Sequence, residues 1–422
     1  MPSRSHQYDA IVIGAGAAGL MTAISAAAQN RNVLLLEKNS KPGAKILMSG
    51  GTRCNITQNT DIQGIISAYG KPGRFLHSAL AALGPEQLID FFNERGVPTK
   101  CEPSGKVFPQ SDRAQDVLHA LLESLDQTRI DLKLKHAVTS IKADSAGFSI
   151  TTNNGTSTAP HVVITSGGKS FPGCGTTGDG YPWSTHFGHR IVPTRPALVP
   201  LVTSTDAWPT QLQGITLPDI ELIVRNSAGK QLGAQRGSTL FTHFGISGPT
   251  AMNLSGIFTA ASHTEKLQLE INFLPKLSLV QKQQQLATLF RRTPKKQALT
   301  VMCQLLPQRV AEVLLDQSDI THIQKSGEVS KQQTLIIANS LHQLSVIIER
   351  TLGYKKAEVT AGGVALDEVN SSTMQSKLQP GLFFAGEILD LDGPISLRRG
   401  GGKAVSPGVC KKPGSRCLEP SG

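Results

Sequence analysis

Residues 8–37 read YDAIVIGAGAAGLMTAISAAAQNRNVLLLE, and no other part of the chain constrains the fold as strongly. Residues 8–13 predict a short apolar strand, and Gly14, Gly16 and Gly19 space a G-x-G-x-x-G turn. Residues 17–29 predict a helix of small side chains, and residues 33–36 a second buried strand that ends on Glu37. The three glycines differ in purpose: Gly14 permits the tight turn, Gly16 lets a pyrophosphate approach the backbone, and Gly19 lets helix and strand pack closely. The helix start offers free N–H groups and partial positive charge to phosphates. Glu37 follows Gly14 by 23 residues, where a carboxylate can accept from both hydroxyls of a ribose. The order strand, glycines, helix, strand, acid specifies an α/β, Rossmann-like unit that binds a dinucleotide. Taken alone, it leaves NAD and FAD both open.

Two further glycine-rich stretches look alike and fail. GCGTTG at residues 173–178 follows Pro172 and precedes DGYPW, so a loop is expected with no helix opening there. SGGKS at residues 166–170 resembles the end of a triphosphate-binding loop, but Val163 stands where that loop needs glycine. A nucleoside triphosphatase is excluded. Residues 11–28 are uncharged and nearly long enough for a membrane span, yet they are built largely of Gly and Ala and broken by the turn, so no membrane association is expected.

The net charge of +11 raises the question of nucleic acid. Residues 395–422 hold six basic residues (Arg398, Arg399, Lys403, Lys411, Lys412, Arg416) against Glu419, a net +5, leaving +6 for the other 394 residues. Those 394 contain no basic run interleaved with aromatics, as a base-stacking surface needs, so no specific nucleic-acid site is expected. The six cysteines (Cys54, Cys101, Cys174, Cys303, Cys410, Cys417) form no CxxC pair, which points to neither zinc nor a disulfide framework; no metal is expected. A polar start without an apolar export segment completes the expectation of a reducing, cytoplasmic setting.

After Glu37, residues 38–57 are too rich in Gly, Lys and Ser for a buried element and read as a long cationic loop of the kind that touches a ligand. Ser111 can cap a helix whose Ala114, Val117, Leu118, Leu121, Leu122 and Leu125 form one apolar face. From 130 to 158 the period becomes two, with an Asn154-Gly155 turn, and an antiparallel meander is expected before the strand HVVITSGG. The proline-rich residues 192–201 mark a boundary. The expected organisation is a discontinuous nucleotide domain at 1–190 and 350–394, interrupted by a β-rich subdomain of short strands at 191–275 and a helical subdomain at 276–349, with a tail at 395–422.

The motifs together resemble one family, the BaiN-like or aminoacetone-oxidase-like FAD-binding oxidoreductases, with a glutathione-reductase type of FAD domain. The pieces that carry the likeness are IVIGAGAAGL, KILMSGGTRCNIT, SGGKSFPGCGTTGDGY, FTHFGISGP, VTAGGVALDEV and GLFFAGEILDLDGP. The resemblance implies FAD held by Gly14, Gly16, Ala17 and Gly19 at the pyrophosphate and by Glu37 at the adenosine ribose. It implies Gly50, Gly51, Arg53, Cys54 and Asn55 near the flavin, and Gly386 with Glu387 near the ribityl chain. Lys38, Lys45, Gly167, Gly168 and Asp179 complete the implied cofactor set. Arg53 has an alternative partner in any neighbouring carboxylate, and Cys54 and Cys174 read as packing residues because neither has a second cysteine close in sequence. No side chain is identified as a catalytic acid or base.

The expected function is hydride transfer through the flavin on a small organic substrate, with NADH or NADPH as the reductant. The alternative is a flavin-binding or RNA-associated protein that does not catalyse. Beyond Pro394 the chain departs from the family: SLRRGGGKAVSPGVCKKPGSRCLEPSG has no aromatic residue and no helical period where a closing helix is expected. That composition predicts disorder. Set against the closing helix that the resemblance implies, whose start would face the flavin, the departure implies a reading frame shifted near Pro394 and an FAD that is bound more loosely or reduced less readily.

Overall fold

The computed structural model describes residues 7–126, 129–261 and 266–393. The expectations for residues 394–422, including the shifted frame, lie outside the described residues. The chain divides into two compact units, Ala197–Lys356 and the remainder on either side of it.

In the first unit, strands Ala10–Ile13, Val33–Leu36, Ile130–Lys133, His161–Ile164 and Leu382–Phe384 form one parallel sheet. Ala10–Ile13 lies at its centre, with Val33–Leu36 and Ile130–Lys133 on one side and His161–Ile164 and Leu382–Phe384 on the other. Successive residues point to opposite faces, so Val12 and Leu35 pack under the helices Ala17–Ala27 and Ala114–Asp126. Ile11, Ile13, Leu34 and Leu36 pack instead against Ile141, Phe148 and Ile150 of an antiparallel three-stranded sheet over residues 138–159. Covered on both faces, the central strands are apolar without interruption. The chain leaves Ala10–Ile13 toward Val33–Leu36 but returns on the opposite side at His161–Ile164. The strand order therefore reverses between these two neighbours, and the crevice beyond their carboxyl ends is where such sheets bind ligands.

Several elements differ from expectation for identifiable reasons. Residues 130–133 belong to the parallel sheet, not the meander, because Ile130 and Leu132 dock beside Val33 and Leu35. The stretch read as a loop at 38–57 contains the helix Ala44–Thr52, since Ala-Lys-Ile-Leu-Met favours helix and Ile46 is buried in the core. Its interior breaks at Ser49, Gly50 and Gly51, the two glycines adopting φ +58° and +69°. A short helix, Gly180–His186, does open after GCGTTGD. The helix expected after Ser111 begins at Ala114, and Asp112 between them takes φ +54°.

In Ala197–Lys356, seven strands make an antiparallel sheet whose central hairpin pairs Thr216–Arg225 with Gln231–Thr242, both longer than the short strands expected. Pro249–Ala260, read as strand and turn, is a helix; its Thr, Ser and Gly content hides a face that packs on Gln231–Thr242. Lys331–His342 is helical as predicted, but the following LSVI is an edge strand, its Ser-Val-Ile run favouring the sheet. One apolar core runs through strands and helices alike, joining Leu222, Phe241 and Ile271 to Leu286, Leu314 and Ile337. Among the described residues no helix is long and apolar enough to cross a membrane.

Candidate functional site

The crevice at the strand-order reversal opens into a cavity of about 450 Å³. At its floor, Gly14 takes φ +107° and donates its N–H to Leu36 O at 2.7 Å. A Cβ on Gly19 would lie 1.8 Å from Gly14 O, so helix and turn meet backbone to backbone there. A Cβ on Gly16 would meet nothing within 4 Å, so that face is open. Gly16 is also the N-cap of Ala17–Ala27 and supplies no side chain to the helix's first N–H groups. Open space, unclaimed donors and the positive end of the helix dipole coincide at this point, which suits an anionic phosphate.

Glu37 is buried, and its carboxylate already has two partners: Oε2 accepts from Ala15 N and Oε1 from Asn39 N, each at 2.8 Å. The acid thus clamps the glycine turn to the end of the second strand. Each oxygen keeps one lone pair for a further donor, and Glu37 lines the cavity, so two ribose hydroxyls can still be met.

Two ion pairs flank the cavity. Lys38 Nζ reaches Asp179 Oδ2 at 2.5 Å and Thr177 Oγ1 at 2.7 Å. Lys45 Nζ reaches Glu387 Oε2 at 2.6 Å and Ser170 Oγ at 2.9 Å. Glu387 Oε1 accepts from Ser170 Oγ at 2.6 Å and from Thr360 N at 2.9 Å. Thr360 Oγ1 in turn accepts from the N–H groups of Lys169 and Ser170, at 2.7 and 3.1 Å. This network ties the loop after His161–Ile164 to Val359–Val364 and to the GE pair after Leu382–Phe384. Sequence reasoning set SGGKS aside as a failed triphosphate loop and gave Ser170 and Thr360 no role; the serine of that rejected motif was the available signal.

Of the implied cofactor residues, Gly14, Gly16, Ala17, Glu37, Lys38 and Lys45 line the cavity. So do Gly50, Gly51, Asn55, Gly167, Asp179, Gly386 and Glu387. Gly19, Arg53, Cys54 and Gly168 are not among its lining residues. Gly168 packs behind Glu387, where a Cβ would come within 3.0 Å of Oε1. Arg53 takes its alternative partner: its guanidinium contacts Glu102 Oε1 at 2.6 Å and Asp112 Oδ1 at 3.4 Å, and stacks over the Phe108 ring 4.0 Å from its centroid. Those carboxylates, Glu102 foremost, hold its pKa above the usual value. Cys54 is fully buried in the apolar core, and burial pushes its thiol up to about 11, which makes it inert. Cys174 does line the cavity, with Sγ 3.0 Å from Met48 Sδ. Tyr69 and Phe108, which the motifs did not flag, line it as well. Burial, assisted by Asp392, pushes the Tyr69 phenol up to about 12, and Gly393 packs against its ring.

The residues present fit FAD: an open cradle at Gly16 with uncapped helical N–H groups, a buried acid with acceptor capacity to spare, and a cavity within the usual ligand range of about 300–1,000 Å³. Fold and site define an FAD-binding protein of Rossmann type. Residues 8–399 match the HI0933-like protein Rossmann domain, and the chain belongs to that family, the group its motifs resemble. It is similar to the ribosomal RNA dihydrouridine synthase of Escherichia coli (strain K12), 32% identical over 400 residues that cover 92% of this chain and 93% of that protein. The ribosomal RNA dihydrouridine synthase of Haemophilus influenzae is 30% identical over 394 residues, 92% and 94% of the two chains. The 3-dehydro-bile acid delta(4,6)-reductase of Clostridium scindens is 28% identical over 386 residues, 90% and 93%. The protein is an FAD-dependent oxidoreductase.

Proposed function

We propose that this enzyme reduces a carbon–carbon double bond conjugated to a carbonyl, and that its substrate is a uracil ring in ribosomal RNA. The observation that carries the reading is chemical. The relatives named above act, by their names, on uridine and on an unsaturated keto bile acid, and in both the bond to be saturated is polarised by a carbonyl. Full-length similarity to two dihydrouridine synthases favours RNA over the free small molecule expected from the sequence.

Bound FAD supplies hydride chemistry to such a bond. The chain's own part is to hold the cofactor through Gly16, Ala17, Glu37, Lys45 and Glu387, and to deliver a proton to the carbon next to the carbonyl. We assign that proton to Tyr69 Oη: the phenol lines the cavity, and a pKa raised to about 12 keeps it protonated at neutral pH. NADH or NADPH serves as reductant in this reading.

The test is to incubate the flavin-loaded protein with NADH or NADPH and an unmodified ribosomal RNA transcript, then digest the RNA and look by mass spectrometry for uridine that has gained two hydrogens. Tyr69→Phe should slow product formation about 10²-fold while flavin reduction by the nicotinamide is unchanged. Reduction of a 3-keto-4,6-diene steroid with no change in any uridine would replace RNA by a small enone. Failure on both substrates would remove the reading altogether.

A further inference from the structure

Residues 271–311 contain no Asp or Glu and seven basic residues: Lys276, Lys282, Arg291, Arg292, Lys295, Lys296 and Arg309. This +7 exceeds the +6 carried by the 394 residues before the terminal tail, so the remainder of those residues nets −1. The helix at the centre of the stretch, Leu279–Arg292, carries neutral glutamines at 281, 283, 284 and 285 instead of the acids that normally balance lysines on an exposed helix.

The fold gathers part of this charge at one corner. Leu279–Arg292 ends on Arg291 and Arg292, and the chain turns at Pro294 with Lys296 N bonded to Thr293 O at 3.0 Å. The turn is held against a second segment: Ser326 N donates to Lys296 O at 2.8 Å, Gly327 N to Pro294 O at 3.1 Å, and Gln297 bridges Lys325 in antiparallel fashion. Lys325 is thereby set beside Lys295 and Lys296. Arg291, Arg292, Lys295, Lys296 and Lys325 are all exposed, and none forms an ion pair with a carboxylate among the described residues. Glu328 shares the corner, but its Oε2 faces the backbone N–H of Lys325 at 3.3 Å. Arg291 has a local role, its Nε donating to Ala287 O at 3.0 Å in the helix's last turn. The other four have no such role, and like charges held together without counter-charge repel one another.

We propose that this corner binds the phosphate backbone of the RNA substrate, with Arg292, Lys295, Lys296 and Lys325 as the contacting cations. The proposal rests on the reading that the substrate is RNA and adds the surface that docks it. Phosphates fit because the patch offers charge without exposed aromatic rings, so it reads no bases. It fixes position, and selection of the uridine is left to the flavin site.

The test uses the full chain and a fluorescein-labelled ribosomal RNA transcript, with affinity measured from low salt to about 0.2 M. The variant Arg292→Gln/Lys295→Gln/Lys296→Gln/Lys325→Gln should bind about tenfold or more weakly near physiological salt, and its slope of log affinity against log salt should fall by about three. Lys142→Gln/Lys230→Gln, which removes two exposed cations elsewhere, should leave the slope at the parent's value, since cations that contact no phosphate release no counterions. Reduction of the flavin by NADH or NADPH should be equal in all three proteins. An unchanged slope in the fourfold variant, or a parent that binds no RNA, would overturn the docking surface. So would unchanged RNA affinity with lost binding to phosphatidylglycerol vesicles, which would assign the corner to a lipid surface. A parent that binds RNA through these residues yet reduces no uridine would sink the substrate reading and leave the docking surface standing.

Discussion

Around the flavin cavity, Glu37 is fixed by two backbone N–H groups, Lys38 by Asp179 and Lys45 by Glu387. In Ala197–Lys356 the pattern is different: Lys282 is buried against neutral acceptors, while Arg292, Lys295 and Lys296 stand exposed and without a described carboxylate. The first arrangement holds charges in place before a ligand arrives, so little reorganisation is needed on binding. In the second, Arg225 and Arg236 are likewise paired, with Glu270 and Asp219, but these four cations are not: Lys282 is costly because it is buried, and Arg292, Lys295 and Lys296 are available because they are unmatched.

The largest expected effect separates two glycines of one motif. Gly19→Val forces a side chain onto Gly14 O and should cost about 3 kcal/mol or more, giving protein that is unfolded or free of flavin. Gly16→Ala adds a methyl to open space and should leave the melting of the flavin-free protein within about 0.5 kcal/mol of the parent while weakening FAD. Equal destabilisation by both would break the distinction between a packing glycine and a cofactor glycine. Next comes Glu37→Ala, which strands the N–H groups of Ala15 and Asn39 at about 1–3 kcal/mol each. Both FAD affinity and the stability of the flavin-free protein should fall. A loss of affinity alone would mean that the clamp is unimportant and only the ribose contact matters. Smaller again is the Lys45–Glu387 pair: a double-mutant cycle with Lys45→Met and Glu387→Gln, read as FAD affinity, should give a coupling of about 1 kcal/mol, and zero coupling would show the two acting independently.

The same contrast explains what was legible in the sequence. The turn at Gly14, Gly16 and Gly19 and the acid at Glu37 were readable because backbone geometry there admits few residue types. The break at Gly50 and Gly51 was only half visible: glycine announced the turn, but Ile46 gave no sign that the preceding residues are helical and buried. Ser170 and Thr360 were hidden because hydroxyls that bridge distant loops have no fixed spacing, lying 190 residues apart. Arg53 stayed open between the flavin and a carboxylate, since its partners Glu102 and Asp112 come from a hairpin and a turn that only the fold brings near. The cationic corner escaped a search for basic runs mixed with aromatics, because its cations come without interleaved rings and Lys325 joins it from another segment.

The last expected effect is spread along the pH axis and tests the buried half of the contrast. Lys282 is almost fully buried, and its Nζ donates to Asn272 Oδ1 at 2.6 Å and to His342 Nδ1 at 3.0 Å. Burial pulls the ammonium down to about 8, against the attraction of Glu221. Burial and the nearby ammonium also lower His342, which keeps the imidazole neutral and able to accept. In the unfolded chain Lys282 titrates near its ordinary 10.5. Between pH 8 and 10.5 the unfolded state therefore holds a proton that the folded state has released, and stability contributed by this group rises with pH; below pH 8 both states are protonated and it is flat. A shift of this size is worth at most about 3 kcal/mol. In a Trp183→Phe background, Trp208, packed against Phe241 and Phe273, reports urea unfolding of its own unit. Lys282→Met keeps the aliphatic stem and removes the titrating group, so the stability of the parent relative to this variant should climb as pH rises from 8 to 10.5. A constant difference across that window would mean that Lys282 titrates as a solvated lysine does, and that its two neutral acceptors, with Glu221 close by, meet the cost of burying its charge.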